Sequence, residues 1–269
     1  WCCLPAAAAP FYCHGAYAPG AQVPVCSDGA NLRFFPSVSA PLMARLPIGT
    51  YVTIRYQDTA TYTTGNHTEP WYRVSYQLRD GSIMKGYVWG GALAKAAVSL
   101  PDGKLLAVGI SHRDASGRKI CVARVAANGT MVAQTAFPAI ETDGGATFGC
   151  TLAAERIDTA GFTPSLTLVR VSFTFEACDY ANGDILLTWN GHRLECGPAL
   201  LRCGNENGTL ATTPVFPADP GGQSDCLLLH QIFCQWTGDT EPARITSDDT
   251  AVWRLDRDRL TFRSDTAPR

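Results

Sequence analysis

The sequence predicts an all-β protein: a small barrel followed by a larger antiparallel, β-sandwich-like domain stapled by disulfides. Three observations carry that prediction. Runs of strand length alternate apolar and polar residues and concentrate β-branched and aromatic side chains. Asn-Gly and Asp-Gly pairs, which take the φ > 0 geometry of tight hairpin turns, separate those runs. Long amphipathic helical patterns are nearly absent.

The elements follow in order along the chain. Residues 1–28 are rich in Pro, Ala, Gly and Cys and predict an extended N-terminal arm. Residues 29–96 form a first block, with strands at "TYVTIRY" (Thr50 to Tyr56) and "WYRVSYQL" (Trp71 to Leu78), joined by a long polar loop from Gln57 to Pro70. The turn "RDGS" (Arg79 to Ser82) leads to "KGYVWGGALA", an aromatic strand that stops on a glycine pair, where the backbone can bend or lie close to a neighbour. Alternation puts Tyr87 and Trp89 on one face and Val88 on the other. Tyr87 is expected to point into the barrel, and Trp89 to seal the junction with the next block. Phe34 and Phe35 are adjacent, so one of them faces outward if their segment is a strand.

Small residues in "AKAAVSL" (Ala94 to Leu100) mark a boundary, and residues 97–269 form the second block. Its turns are "PDGK" at Pro101, "ANGT" at Ala127, "ANGD" at Ala181 and "WNGH" at Trp189. Its strands are "ICVARVA" (Ile120 to Ala126), "LTLVRVSFTF" (Leu166 to Phe175), "DILLTW" (Asp184 to Trp189) and "AVWRLDRDRLTF" (Ala251 to Phe262). "CTLAAERI" (Cys150 to Ile157) reads as helix or strand.

Charge and composition exclude several function classes. With 46% hydrophobic residues in 269 the chain can bury a sizeable core, while 17% charged residues and a net charge of −2 leave no basic surplus for a nucleic-acid backbone or an anionic membrane. Apolar runs are short and broken by Pro or Gly, so no transmembrane helix is expected.

Eleven cysteines without a CxxC pair favour disulfides and an oxidising compartment over a zinc site. The disulfide candidates are Cys13 with Cys26, Cys121 with Cys150, and Cys196 with Cys203 or Cys234; Cys226 and Cys234 bracket a strand-like run. The opening "WCCLPAAAAPFYCHG" resembles a processed, exported chain, and Trp1 ahead of Cys2 argues against a lipid-carrying first residue.

Catalytic constellations are thin. No GxSxG, HExxH or P-loop occurs, and no cofactor is implied. Cys178 with His192 is the one nucleophile pairing open to consideration, and a structural Cys178 is favoured over it. Glu176, Asp179 and Asp184 flank a turn and hold oxygens suited to calcium, but a solvated hairpin tip is favoured. Cys2, Cys3, Cys13 and His14 suit a soft metal less well than disulfides. The expectation is a protein without a catalytic or metal site.

Residues 30–94 carry an ordered set of motifs: Asn31-Leu32-Arg33 with a Pro36-Ser37 turn, Leu46 to Gly49, Trp71-Tyr72-x-Val74, Asp80-Gly81, and Gly86-Tyr87-Val88. This set resembles the bacterial SH3 domain, SH3b. The resemblance implies a binding unit of the cell envelope that recognises cell-wall peptide or glycan, or an envelope protein. Aromatic side chains would supply the contact, and Phe34, Phe35, Tyr56, Tyr62, Trp71 and Trp89 are the candidates. In the second block, "FTFEACDYANGDILLTWNGHRL" and "VFPADPGGQSD" are similar to segments of exported bacterial proteins of unknown function that pair SH3b with a C-terminal β-domain. The other reading is a structural or assembly subunit of an envelope complex or filament, which high apolar content and a Cys-rich arm would suit.

Overall fold

The computed structural model describes residues 11–12, 17–140, 150–157, 161–175, 182–205, 208–235, 244–256, 258–259 and 261–265. Every regular element among them is a strand except one 3-10 turn, Gly90–Ala92. All strand pairs are antiparallel, in three sheets.

The chain opens with β1 (Phe11–Tyr12), which pairs far along the sequence. The first complete sheet is built from β2 (Gln22–Pro24), β3 (Ala30–Arg33), β4 (Leu42–Leu46), β5 (Tyr51–Thr64), β6 (His67–Gln77) and β7 (Ile83–Trp89), in the order β2-β5-β6-β7-β3-β4. Val23, Val25, Leu32, Leu46, Val52, Ile54, Tyr72, Val74, Val88 and Leu93 fill its core. Tyr17 joins them, so residues 17–25, which composition assigns to the arm, belong to this sheet and its core.

Two expectations for this sheet are corrected. The segment Gln57 to Pro70 is a hairpin, not a loop: Thr61 pairs with Pro70, Tyr62 with Glu69, Thr63 with Thr68 and Thr64 with His67. Alternating threonines suit a solvated two-stranded ribbon, and the Thr63 and Thr68 hydroxyls hydrogen-bond at 2.7 Å across it. Tyr87 does not enter the core; Val88 does, fully buried, while Tyr87 is half-buried on the opposite face. The cause lies on the neighbouring strand, β3. Gly86 shares its face with Val88, and Leu32 packs so closely on it that a Cβ there would lie 2.7 Å from the leucine side chain. Only the phase that turns Gly86 and Val88 inward leaves room for Leu32.

The second sheet is β8 (Ala96–Ser99), β9 (Leu105–Arg113), β10 (Lys119–Ala127) and β11 (Thr130–Pro138), a meander ordered β11-β10-β9-β8. Its β10–β11 turn takes the expected Asn-Gly geometry, with φ of 51° at Asn128 and 78° at Gly129. The third sheet holds β12 (Cys150–Ile157), β13 (Thr167–Phe175), β14 (Asn182–Trp189), β15 (Leu194–Asn205), β16 (Gly208–Val215), β17 (Cys226–Gln235), β18 (Arg244–Asp256) and β19 (Thr261–Ser264), with β1 added beside β12. "CTLAAERI" is thus a strand. The run from Ala251 to Phe262 is two strands rather than one. Asn182-Gly183 is not a turn: Gly183 pairs with Phe173 and Leu201, and a Cβ on it would sit 2.4 Å from the Leu200 carbonyl oxygen. Glycine marks a close backbone approach there.

The second and third sheets share one core, in which Leu106, Val108, Ala123, Val125 and Phe137 meet Leu152, Val171, Phe173, Ile185, Leu187 and Trp189. The other face of the third sheet closes on itself, joining Leu168, Leu186 and Leu200 to Leu227, Leu229, Leu255 and Phe262. Between the first and second sheets lies a seam of small buried residues, Cys26, Ala94 and Ala107 with Ala97. Arg124 crosses it, donating Nη1–H to the Cys26 carbonyl at 3.1 Å. Trp89 packs against the first sheet's own core instead.

The disulfide staple is also corrected among the described residues. No disulfide joins any two of Cys26, Cys121, Cys150, Cys196, Cys203, Cys226 and Cys234. Cys121 and Cys150 sit in the same apolar core. Cys196 and Cys203 lie on one extended strand, β15, which holds them apart, and Cys234 lies on β17 with β16 between it and Cys196. Cys13 and Cys178, with Glu176 and Asp179, lie outside the described residues. No helix among the described residues is long and apolar enough to cross a membrane.

Candidate functional site

Three aromatic side chains converge where β5, β6 and β7 meet the glycine pair. Trp71 and Trp89 stand directly opposite each other in the β6–β7 register. Tyr62 comes from the distal part of β5, its ring centroid 5.7 Å from Trp89 and 6.5 Å from Trp71. The Trp89 indole Nε1–H donates to the carbonyls of Tyr62, at 3.0 Å, and Glu69, at 3.1 Å. A half-buried indole is thereby held on the hairpin that the sequence reads as a loop. The glycines make this possible. A Cβ on Gly91 would lie 2.2 Å from the Trp89 ring, so the bare backbone is what lets the indole lie flat over the corner.

These rings form one wall of a cleft of about 370 Å³. The opposite wall is the β2–β3 connection and the loop after β3, with Asn31, Arg33 and Val38 facing in. Arg33 donates Nη1–H to the Ala40 carbonyl at 2.6 Å, which ties the loop down and orients the guanidinium beside the cleft. An aromatic floor with one fixed cation and polar Ser27 and Asn31 at the edge can stack a planar or sugar-like face and hydrogen-bond its rim.

The structure sorts the sequence candidates. Tyr62 and Trp89 share the cleft, and Trp71 is buried beneath it at 3% exposure. Phe34 and Phe35 do not alternate, because β3 ends at Arg33; both are exposed and stack edge to face at 4.8 Å on the following loop. Tyr56 is exposed elsewhere on the sheet, its hydroxyl hydrogen-bonded at 2.9 Å to that of Tyr87, whose ring carries the Arg73 guanidinium at 4.9 Å. Arg33 and Val38 were missed. Arg33 stands inside the "NLR" motif, where it reads as a framework residue, and only the loop geometry shows it facing ligand space.

A second polar centre adjoins the cleft. Behind Trp89, His67 stacks on the indole at 5.7 Å, and its Nε2 lies 3.5 Å from Glu69 Oε1. Glu69 is ion-paired at 3.0 Å with Lys95, which is 1% exposed and lies 5.0 Å over the Tyr17 ring. Burial pushes the His67 pKa below its ordinary value; Glu69 opposes this, and Lys95, Arg113 and Lys119 add to it. No group of three or more His, Cys, Asp or Glu among the described residues is placed to hold a metal ion.

Comparison with protein-family models, with curated proteins and with solved structures finds no match in any of the three.

Proposed function

We propose that this protein is a non-catalytic, exported binding protein of the bacterial cell envelope, and that the Tyr62–Trp89 cleft is its recognition site for cell-wall material or an envelope protein. The observation that carries the reading is the cleft itself. Two tryptophans, a tyrosine and a tethered arginine line about 370 Å³ beside a glycine corner, whose bare backbone lets the Trp89 indole lie flat as part of the wall. Rigid aromatic area binds sugars and extended peptides at low entropic cost. The SH3b-like motifs of residues 30–94 support the envelope assignment by resemblance. The reading rests on the cleft and not on disulfides.

The test is sedimentation of the purified protein with isolated peptidoglycan and with envelope extract, followed by tryptophan fluorescence on titration. Tyr62→Ala and Arg33→Gln should each weaken binding about tenfold or more, as the loss of a central contact does. Unchanged binding in both variants, or no binding by the parent, would sink the proposal.

A second reading, an assembly subunit, is favoured by one observation. Phe34, Phe35, Val38, Leu42 and Met43 are all exposed, and they cluster on β4 and the loop before it, at the edge of the first sheet. Exposed apolar edges invite pairing with another chain. Native mass measurement separates the readings: a defined oligomer that Phe34→Ser with Phe35→Ser dissolves favours assembly, and a monomer favours the cleft alone.

A further inference from the structure

A cavity of about 270 Å³ opens where the tip of the β5–β6 hairpin lies against the ends of β9 and β10. Its walls are Asn66, His67, Thr68 and Glu69 from the hairpin and Arg113 and Lys119 from the second sheet. The site is built rather than accidental. Asn66 grips the backbone of Arg113 in both directions, donating Nδ2–H to its carbonyl at 2.6 Å and accepting its N–H at 2.9 Å. The hairpin is thereby pinned to the root of the arginine. Arg113 commits Nη1–H to the Gly117 carbonyl at 2.7 Å, which holds the guanidinium plane while leaving other N–H donors of the fork unassigned among the described residues. Inside, His67 is 7% exposed, and its Nε2 has no hydrogen-bond partner among the described residues. The cavity's one described carboxylate, Glu69, is already joined to Lys95.

A polar cavity in which an anchored guanidinium keeps open N–H donors, beside a buried imidazole nitrogen without a hydrogen-bond partner among the described residues, suits an acceptor group. Water fills such space, at roughly 30 Å³ each, but supplies no charge. An oxyanion supplies both acceptors and charge, and the planar fork of arginine matches it in bidentate geometry. We propose that this cavity is a binding site for a small oxyanion group, phosphate, sulfate or carboxylate, with Arg113 as its principal donor and the His67–Glu69–Lys95 cluster as its floor. The proposal stands apart from the aromatic cleft: no residue lines both cavities, and they approach each other only where His67 packs against the Trp89 ring.

The test titrates the protein with inorganic phosphate, sulfate or acetate against sodium chloride at equal ionic strength. The readouts are the melting temperature and the imidazole NMR signal of His67, assigned by its loss in His67→Gln. The expected result is a higher melting temperature with an oxyanion than with chloride, and a His67 titration moved to higher pH, because a nearby negative charge favours imidazolium against Lys95, Arg113 and Lys119. Phosphate or sulfate acting most strongly marks a tetrahedral ligand; acetate acting most strongly marks a carboxylate. Arg113→Gln should weaken the response at least tenfold in concentration. A response no different from chloride overturns the proposal, and so does a response that Arg113→Gln leaves intact. Should that variant fail to fold, the His67 signal of the parent protein decides alone.

Discussion

At the scale of single residues, the aromatic cluster gives the sharpest expectations. Trp89→Phe keeps a ring in place but removes the Nε1–H that serves the Tyr62 and Glu69 carbonyls. Losing one partner of a part-buried hydrogen bond costs about 1–3 kcal/mol, so denaturant unfolding should show a lower midpoint with an unchanged slope. Phe34→Ala should change stability by no more than about 0.5 kcal/mol, as exposed substitutions do. His67 gives a pH dependence whose sign is fixed. Its folded pKa lies below the unfolded value near 6.5, because burial and three neighbouring cations disfavour the imidazolium. The stability held by the neutral ring is complete above that value and is lost as pH falls through it toward the lower folded pKa, since the unfolded chain takes up the proton first. A plot of melting temperature against pH should fall below pH 6.5 in the parent and flatten in that window in His67→Gln; identical curves would refute the account. Thiol chemistry is also set residue by residue. Burial raises the pKa of Cys26, and burial with Glu195 raises that of Cys196 to about 11, which leaves about one thiolate in a thousand at pH 8. Alkylation of native protein should therefore reach exposed Cys203 well before Cys26 or Cys196, and mass spectrometry of the labelled peptides checks the order.

At the scale of elements, β7 shows both what the sequence reveals and what it conceals. Period-two alternation is legible in "GYVW", so Tyr87 and Trp89 share a face, as their pairing with Arg73 and Trp71 confirms. Which face turns inward is not legible locally, because Leu32 on another strand decides it by occupying the space above Gly86. The hairpin from Gln57 to Pro70 was hidden for a different reason. Its threonines bury little, so no apolar alternation announces a strand, yet this ribbon carries Tyr62, Asn66, His67 and Glu69. Turn chemistry was legible where glycine truly sits at positive φ, as at Gly81, Gly103, Gly129 and Gly191. It misled at Gly183, which has the same dipeptide signal but serves close strand packing. The glycine pair supports an element-level prediction. Gly91→Ala places a methyl group 2.2–2.5 Å from the Trp89 ring; the indole has to swing away, so its fluorescence should shift to longer wavelength and cleft binding should fall while the β-sheet circular dichroism stays unchanged.

At the scale of the whole molecule, an all-β architecture of antiparallel sheets was legible from turn spacing and strand composition. The participation of residues 17–25 in the first sheet was not, because their partners lie on β5 and at Leu93, far along the chain. The third sheet has a consequence for how the protein comes into being. From β12 to β19 every neighbour in space is also the neighbour in sequence, so each strand meets its partner as soon as it leaves the ribosome, and loop closure costs little at each step. Only β1 breaks this rule, pairing Tyr12 with Thr151. It must wait until β12 has been made. The edge of β12 stays bare during that interval, and this is the window in which a nascent chain is most open to capture by a chaperone or by the same edge of another copy.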